Sequence, residues 1–293
     1  MKPAPFEYYR PATLEEALDL MAEYGDQAKP LAGGQSLIPA MNFRLARPAV
    51  VVDINHISEL SHIREEAGEL SVGGLTRQRD VERSPIVRRV APLLHETMPF
   101  IAHMAIRNRG TVGGSLAHAD PAAELPAIAL ALGARLHARS RARDRWIAAE
   151  EFFTGLFSTS LNPDELLVEI AVPRLPERSG CAFEEVSRRH GDYALAGSAA
   201  VVTLDARGRC IRARVVLLSV GDRPVVAERA GRILNGEVPS APSIEAAAEA
   251  AASQDIDPPT DIHASSEYRR HLAAVLMRRA LGRAVARANE IVQ

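Results

Sequence analysis

Apolar residues in the first 55 positions recur with a helical spacing and then form a short continuous run. Thr13 followed by Glu16 is a capping-box pattern, which predicts the start of a helix, and Gly25 predicts its end. Residues 30–32 and the β-branched run at 50–54 are typical of strands. We therefore expect a compact β-α-β unit here. The apolar face of its first helix is expected at Leu14, Ala17, Leu18 and Met21.

The pattern from residue 57 to residue 175 mixes strand and helix signals. Residues 69–74 alternate like a half-exposed strand, and residues 76–80 begin a helix. A second helical spacing runs over 86–98. We further expect a helix that follows the segment 121–126 and continues through 132, and strands at 134–138 and 165–172.

Residues 173–176 (Pro-Arg-Leu-Pro) form the expected linker, because paired prolines interrupt both helices and strands. We expect one domain over 1–175, with subdomains at about 1–56 and 57–175, and a second domain over 176–293. Strands followed by helices describe an α+β module. Beyond the linker the pattern predicts strands at 183–186, 199–204 and 212–220 and helices at 223–234, 243–252 and 267–289.

Composition and charge exclude several classes of partner. The 293 residues carry a net charge of −2 with seven Phe, five Tyr and one Trp, which gives no basis for binding nucleic acid. No stretch approaches the roughly 18 apolar residues that span a bilayer, and the first residues lack the apolar run of a secretory signal. Cys181 and Cys210 are fewer than the about four thiolates that hold an iron–sulfur cluster. We expect a cytoplasmic protein without a membrane span.

Two short segments combine a pair of glycines with a nearby serine: LAGGQSLIP at 31–39 and TVGGSLAHADP at 111–121. Glycines adopt positive φ angles and let a ligand touch the main chain. Successive N–H groups in such a turn form a nest for phosphate, and Ser36 and Ser115 are placed to add a hydroxyl. One such loop is ordinary turn chemistry. Two with matching chemistry suit the two phosphates of a dinucleotide, provided that both Gly-Gly turns lie close together.

Standard motifs of other enzyme classes are missing from the sequence. It has no G-x-G-x-x-G opening a helix and no G-x-x-x-x-G-K-[ST], which disfavours a Rossmann dehydrogenase and a P-loop enzyme. No motif places a Ser or Cys nucleophile beside a histidine. His118 and Asp120 are only half of a metal site, so we expect no metal in this chain. Asp120 before Pro121 is expected to cap a helix or order its loop.

Three segments together resemble the signatures of one known family. Ala-Gly-Gly-Gln-Ser-Leu at 32–37, with Arg-Leu-Ala-Arg-Pro at 44–48, is similar to its first FAD motif. Ile-Arg-Asn-Arg-Gly-Thr-Val-Gly-Gly-Ser at 106–115, with His-Ala-Asp-Pro at 118–121, is similar to its second, and Arg-His-Gly-Asp-Tyr-Ala at 189–194 to a third. The family is that of the medium subunits of molybdenum hydroxylases, the flavoproteins of the xanthine dehydrogenase and aerobic carbon monoxide dehydrogenase type. The resemblance covers nearly the whole chain, with the motifs in the expected order.

The resemblance implies an α+β fold and a redox function. The implied fold is an N-terminal FAD-binding domain of the vanillyl-alcohol-oxidase (PCMH) type in two subdomains, then a C-terminal α+β domain of the carbon monoxide dehydrogenase flavoprotein type with a small antiparallel sheet and helices. The implied activity is that of an oxidoreductase subunit whose chemistry takes place on FAD. A large molybdopterin subunit and a small subunit with [2Fe–2S] clusters are the implied partners, in a heterotrimer or a dimer of heterotrimers. Electrons would pass from the clusters through FAD to an external acceptor.

The resemblance also assigns FAD contacts to individual residues. Glu124 matches an acidic residue near the adenosine ribose, although a solvated first-turn carboxylate explains it equally well. Ile101 and Leu167 match apolar contacts to the flavin or adenine, and Tyr193 matches an aromatic position near the isoalloxazine. The two pyrophosphate loops and the positions beside them contribute Ala32, Gly33, Gly34, Gln35, Ser36, Leu37, Thr111, Gly114, Ser115 and Asp120.

Two positions depart from the family's pattern. Position 35, often His in carbon monoxide dehydrogenase relatives, is Gln. The strand before the third motif often carries a Lys, where Glu184 and Glu185 stand here. The absent lysine bears on whether the pyrimidine end of the flavin meets a cation, and so on its potential.

Two other functions fit the sequence. A self-contained flavin oxidase or dehydrogenase would turn over a small substrate without a molybdenum subunit. A nucleotide-binding or scaffold protein without a redox role would bind ADP-like ligands but show no change of flavin absorbance under a reductant.

Overall fold

The computed structural model describes residues 2–290, and its first unit is a small parallel sheet in the order β1-β3-β2. Its elements are β1 (Glu7–Tyr9), α1 (Leu14–Tyr24), β2 (Ala28–Leu31), α2 (Leu37–Asn42) and β3 (Val50–Asp53). The central strand β3 is buried throughout, as expected for a parallel strand covered on both faces. Helix α1 begins where the Thr13 hydroxyl accepts the Glu16 amide, and it ends at Gly25. The expected β-α-β unit is therefore confirmed.

The second unit is a five-stranded antiparallel sheet in the order β4-β5-β10-β6-β7, with short helices around it. Its first half contains β4 (Ile63–Glu66), β5 (Glu69–Gly73), α3 (Gln78–Arg83), α4 (Pro85–Val90), α5 (Pro92–Thr97), α6 (Met104–Arg107), α7 (Val112–His118) and α8 (Glu124–Leu132). Its second half contains β6 (Arg135–Arg139), β7 (Asp144–Ala148), α9 (Ala149–Phe152), the hairpin strands β8 (Phe153–Gly155) and β9 (Ser158–Thr159), and β10 (Leu166–Pro173).

The third unit is a four-stranded antiparallel sheet in the order β11-β12-β13-β14, covered on one face by helices. It comprises β11 (Ser179–Ser187), β12 (Ala194–Leu204), β13 (Cys210–Leu218), β14 (Val225–Val226), α10 (Glu228–Leu234), α11 (Ala241–Gln254) and α12 (Ser266–Glu290). Helix α12 approaches β11 so closely that a side chain at Gly180 would collide with the backbone of Ala284. The α+β class expected from the sequence is confirmed.

The core of the second sheet continues into the third. Helix α8 is apolar on every side after Glu124 and is buried along its whole length, as a helix between two layers must be. The ring of Phe183 on β11 packs edge-on against Phe100, with 5.0 Å between the ring centroids. The Ser219 amide donates to the carbonyl of Pro121 over 2.8 Å. We call this contact surface between the second and third sheets the seam.

Two expected helices differ in the structure. The helix expected over 86–98 is two helices, because Pro92 has no N–H and starts a new turn after Ala91. The helix expected over 223–234 begins only at Glu228, since Pro224 precedes the short strand β14. The helix expected to open at 76–80 does so, at Gln78.

Candidate functional site

The two glycine loops lie against each other. A Cβ atom placed on Gly33 would lie 2.5 Å from the carbonyl oxygen of Arg109 and 2.8 Å from the Cα atom of Gly110, directly before the second loop. One placed on Gly114 would lie 3.7 Å from the Cβ atom of Ala32. Contacts this short require glycine at position 33, because real Cβ atoms do not approach backbone so closely. The hypothesis of one site for two phosphates required this proximity, and the structure has it.

The first loop has main-chain donors to offer. Within residues 2–290, the amides of Gly33, Gly34, Gln35 and Ser36 have no hydrogen-bond acceptor. The Ser36 hydroxyl does not cap α2. Gly34 has a φ of +72°, and the side-chain Nε2 of Gln35 donates to the Gly33 carbonyl over 3.0 Å, which fixes the turn. Four adjacent donors without acceptors are suited to an anion.

The second loop uses most of its own donors. The Gly113 amide donates to the carbonyl of Gly74 over 2.9 Å, and the Gly114 amide donates to the Thr111 hydroxyl over 3.1 Å. The expectation that main-chain amides of both turns grip a diphosphate therefore needs correction. The free amides lie on the first loop, whereas Gly113 and Gly114 belong to the first turn of α7 and have no positive φ. The second segment therefore offers close approach and the Ser115 hydroxyl, which has no hydrogen-bond partner in the described part of the chain.

Two side chains that the sequence analysis missed join the loops. Asn55 donates to the carbonyls of Leu31 and Ala32 over 3.1 Å and 2.8 Å. Arg77 donates to the Asn55 side chain over 2.7 Å and to the carbonyl of Arg109 over 2.5 Å. Burial, and then the nearby Arg109, lower the pKa of Arg77 below its usual value. Asn55 follows a buried strand, a position that favours functional side chains, but nothing in the sequence singled out Arg77.

Leu167 and Ile101, the two predicted apolar contacts, lie near the second loop. The Leu167 carbonyl packs against Gly74, the residue that anchors Gly113. The Ile101 carbonyl accepts from Arg107 over 2.8 Å, and Arg107 forms an ion pair with Glu82 at 2.9 Å. Both apolar residues are buried.

Acidic groups gather at the seam. The Asp120 carboxylate accepts from the Ala122 amide over 2.9 Å, which confirms its expected loop-ordering role. Glu124 is only 7% exposed at the start of α8. Burial first, and the charge of Asp120 in addition, raise the pKa of Glu124 to about 7. Its burial and raised pKa exclude the alternative explanation that Glu124 is a solvated carboxylate in the first turn of the helix.

Tyr193 extends from the loop of the third motif. The residue is 67% exposed, and its main-chain amide donates to the Asp192 side chain over 3.0 Å. The surrounding protein and the carboxylates of Asp120 and Glu124 raise the pKa of Tyr193, which places the phenol near this acidic group. In the same loop, Gly191 (φ +82°) packs against the ring of His103 from the second unit.

The predicted residues thus form two clusters. Gly33, Gly34 and Gly114 with their neighbours make up the first cluster, where the two glycine segments meet. Asp120, Glu124 and Tyr193 make up the second cluster, at the seam, and helix α7 connects the two. Tyr193 makes no hydrogen bond or ring contact with either glycine loop in residues 2–290.

No group of three or more His, Cys, Asp or Glu side chains between residues 2 and 290 could hold a metal ion. None of the helices in this range combines the length and the apolar character that a bilayer-spanning helix requires.

Comparison with known families agrees with this geometry. Residues 4–175 match the family described as the FAD binding domain in molybdopterin dehydrogenase, and residues 181–284 match the CO dehydrogenase flavoprotein C-terminal domain. The chain belongs to this family of flavoprotein medium subunits. The resemblance seen in the sequence is confirmed.

Subunits of known dehydrogenases match over nearly their full length. The 6-hydroxypseudooxynicotine dehydrogenase complex subunit alpha of Paenarthrobacter nicotinovorans is 46% identical, covering 98% of this chain and 97% of the relative. The caffeine dehydrogenase subunit beta of Pseudomonas sp. (strain CBB1) is 42% identical over the same shares. A solved carbon monoxide dehydrogenase from Hydrogenophaga pseudoflava superposes with a TM-score of 0.95 at 38% identity, covering 98% of this chain and 99% of that one.

Proposed function

We propose that this chain is the FAD-binding, electron-transferring subunit of a molybdenum hydroxylase. The observation that carries the proposal is the contact of the Gly33 loop with Arg109 and Gly110, beside four main-chain donors without acceptors. A turn without side chains and with free N–H groups fits a diphosphate. FAD is thus the dinucleotide that both the family and the geometry support.

FAD would supply the redox chemistry, and the residues of this chain would bind and orient it. The amides of 33–36 and the hydroxyl of Ser115 would hold the diphosphate, while Asn55 and Arg77 keep the loops together. We further propose that the remaining predicted residues contact FAD. They are Ala32, Leu37, Ile101, Thr111, Asp120, Glu124, Leu167 and Tyr193.

The iron–sulfur clusters must lie on another chain. Cys181 and Cys210 are both buried free thiols on different strands, and burial raises the pKa of Cys181 to about 11. A thiol with so high a pKa is not a ready thiolate ligand. Relatives are named as subunits or chains of larger dehydrogenases, which supports assembly with a large molybdopterin subunit and a small iron–sulfur subunit. We propose a heterotrimer or a dimer of heterotrimers that delivers electrons to an external acceptor.

Two finer points belong to the same proposal. The division into domains at residue 175, with subdomains meeting near residue 56, remains a prediction that limited proteolysis would test. The cytoplasmic location remains a prediction as well, and cell fractionation would test it.

Co-purification tests the proposed function. A tag on this chain should bring down a large and a small subunit from the native host, and the complex should show both flavin and iron–sulfur absorbance. Reduction by the organic substrate of the complex should bleach the flavin band. A purified chain that shows no flavin spectrum and gains none when FAD is added would refute the proposal.

A further inference from the structure

A cavity of about 280 Å³ opens at the edge of the seam, where β13 and α10 of the third unit meet α9 of the second. None of the residues that line it belongs to the two clusters of predicted FAD contacts. Pockets that hold drug-sized ligands begin at about 300 Å³, so a cavity of this size suits a smaller metabolite.

The cavity lies along a part of β13 that has no strand on its outer side. Strand β14 pairs with β13 only at Val216 and Leu217. Before these residues helix α10 takes the place of a strand, and a Cβ atom on its Gly231 would lie 2.9 Å from the carbonyl oxygen of Ala213. The Asn235 side chain accepts from the Ala213 amide over 2.9 Å, which fixes the end of the helix against the strand. The space between this helix and the strand is the cavity.

Three arginines line the cavity. Arg212 and Arg214 are two residues apart on β13, so their side chains leave the same face of the strand, and Arg232 lies on α10. Arg212 and Arg232 are exposed, and within residues 2–290 the guanidinium of neither forms an ion pair or a hydrogen bond. Two permanently charged groups therefore stand at this cavity without a protein partner.

Arg214 is the most enclosed of the three. Its side chain is 15% exposed, and its guanidinium donates to the carboxylate of Glu150 on α9. Its Nε atom is buried and has no hydrogen-bond partner in the described part of the chain. A buried donor without an acceptor is unfavourable, so this group retains the capacity to bind an oxygen.

The charges at the cavity do not balance. Glu150 and Glu228 are the acidic side chains among the lining residues, against three arginines, so an excess of positive charge remains. Partial burial raises the pKa of Glu150, but the hydrogen bond from Arg214 and the charges of Arg214 and Arg212 lower it further, so this carboxylate is ionised at neutral pH. Even with both carboxylates charged, the cavity attracts an anion.

We propose that this cavity binds a small organic anion through its carboxylate or phosphate group, with Arg212, Arg214 and Arg232 as the donors. Oxygens of such a group match the planar fork of a guanidinium, and a ligand oxygen supplies the acceptor that the Arg214 Nε lacks. Val215 and Val226 also line the cavity and offer apolar contact to a short carbon skeleton. The site adds a function beyond electron transfer and does not depend on it.

Calorimetric titration of the full-length chain tests this site. Succinate is the probe for the carboxylate group and glycerol 3-phosphate the probe for the phosphate group, in about 0.15 M sodium chloride to screen exposed charges. At least one probe should bind with a stoichiometry of one, and the tighter of the two identifies the preferred anionic group. Failure of both probes to bind would overturn the proposal.

Variants assign the binding to the cavity. Arg214→Gln and Arg232→Gln should each raise the Kd by about tenfold or more, because a charge-assisted hydrogen bond is lost. Arg232 is exposed, so its variant decides the question if Arg214→Gln does not fold. Arg278→Gln on α12 removes the same charge from a side chain that is 52% exposed and outside the cavity, and it should leave the Kd unchanged.

Glu150→Gln should change the affinity in the opposite direction. It removes a negative charge from the cavity and releases the donor of Arg214 that Glu150 occupies, so the Kd should fall. Weaker binding in this variant would contradict the proposed role of the arginines.

The free amides at Gly33 could also attract an anion, so the titration is repeated with saturating FAD. Binding that persists with FAD and weakens in the arginine variants supports the cavity. Binding that disappears with FAD and is unchanged in those variants belongs to the glycine loops and overturns the proposal. A chain that takes up no FAD would overturn the proposed function and leave the cavity site standing on its own titration.

Discussion

Gly33 shows how one missing side chain positions two distant parts of the chain. Its Cα lies so near Arg109 and Gly110 that even a methyl group would separate the loops. The neighbouring amides have no other acceptor, so the same glycine creates both the contact and the access to the main chain.

Replacing Gly33 with alanine should therefore weaken FAD binding more than it weakens the fold. We expect a Kd for FAD at least about tenfold higher and a loss of about 1–3 kcal/mol in the free energy of unfolding, because backbone has to move. Dialysis with FAD and urea unfolding measure the two effects. Gly282→Ala is the control, since nothing lies within 4 Å of its Cβ position on α12; it should leave the Kd unchanged and stabilise the helix slightly. Equal effects of both substitutions would contradict the argument.

Asn55 acts on the same loops through hydrogen bonds. Asn55→Ala removes the donors to the carbonyls of Leu31 and Ala32 and the acceptor for Arg77. We expect a loss of about 1 kcal/mol in the free energy of unfolding and a several-fold weaker FAD affinity, measured by urea unfolding and dialysis. A variant with normal FAD affinity would show that the loops hold their positions without this clamp.

At the scale of elements, β11 joins the second and third units because its two faces carry different chemistry. Phe183 is fully buried against Phe100, whereas Glu184 forms an ion pair with Arg283 on α12. An alternating strand can serve two layers in this way only if its register is fixed, and the pairing with β12 fixes it.

Phe183→Ala should accordingly damage the junction of the two units. We expect a loss of about 3–5 kcal/mol in the free energy of unfolding, because a buried aromatic ring is replaced by a cavity. Phe43→Ala is the matched control: Phe43 is 65% exposed, so its loss should stay within about 0.5 kcal/mol. Chemical denaturation of both variants checks the difference, and similar midpoints would argue against a packed seam.

The whole molecule should lose stability as the pH rises through neutrality. Burial, and then the charge of Glu124, raise the pKa of Glu185 to about 9, while the unfolded chain has an ordinary glutamate. Between these two pKa values the native state holds a proton that the unfolded state has lost, so the free energy of unfolding falls with rising pH. The limit is about 1.4 kcal/mol per pH unit for one proton.

Thermal melting of the cofactor-free chain between about pH 5.5 and pH 8.5 checks this sign. The melting temperature should decrease with pH, and Glu185→Gln should show a smaller decrease than the unmodified chain. Glu184→Gln should follow the unmodified chain. A melting temperature that rises over this range, or three identical profiles, would contradict the prediction.

Short sequence patterns predicted several elements of this fold correctly. The Thr13 cap, the β-branched run at 50–54 and the positive φ of Gly34 were readable because each signal is contained in a few adjacent residues. Short strands such as β8 and β14 were not predicted, since two or three residues carry too little pattern. The break at Pro92 was missed although its cause is local, because the apolar spacing continues across it.

Tertiary structure alone decided which residues meet. The sequence offered two glycine loops about 80 residues apart, but only the fold places Gly33 on Gly110 and leaves one loop's amides free while Gly74 occupies an amide of the other. It likewise buried Glu124 and the Oε2 atom of Glu185. Contacts and burial depend on residues that are far apart in the sequence, so no short pattern can predict them. A cap or a turn, in contrast, is complete within about four residues.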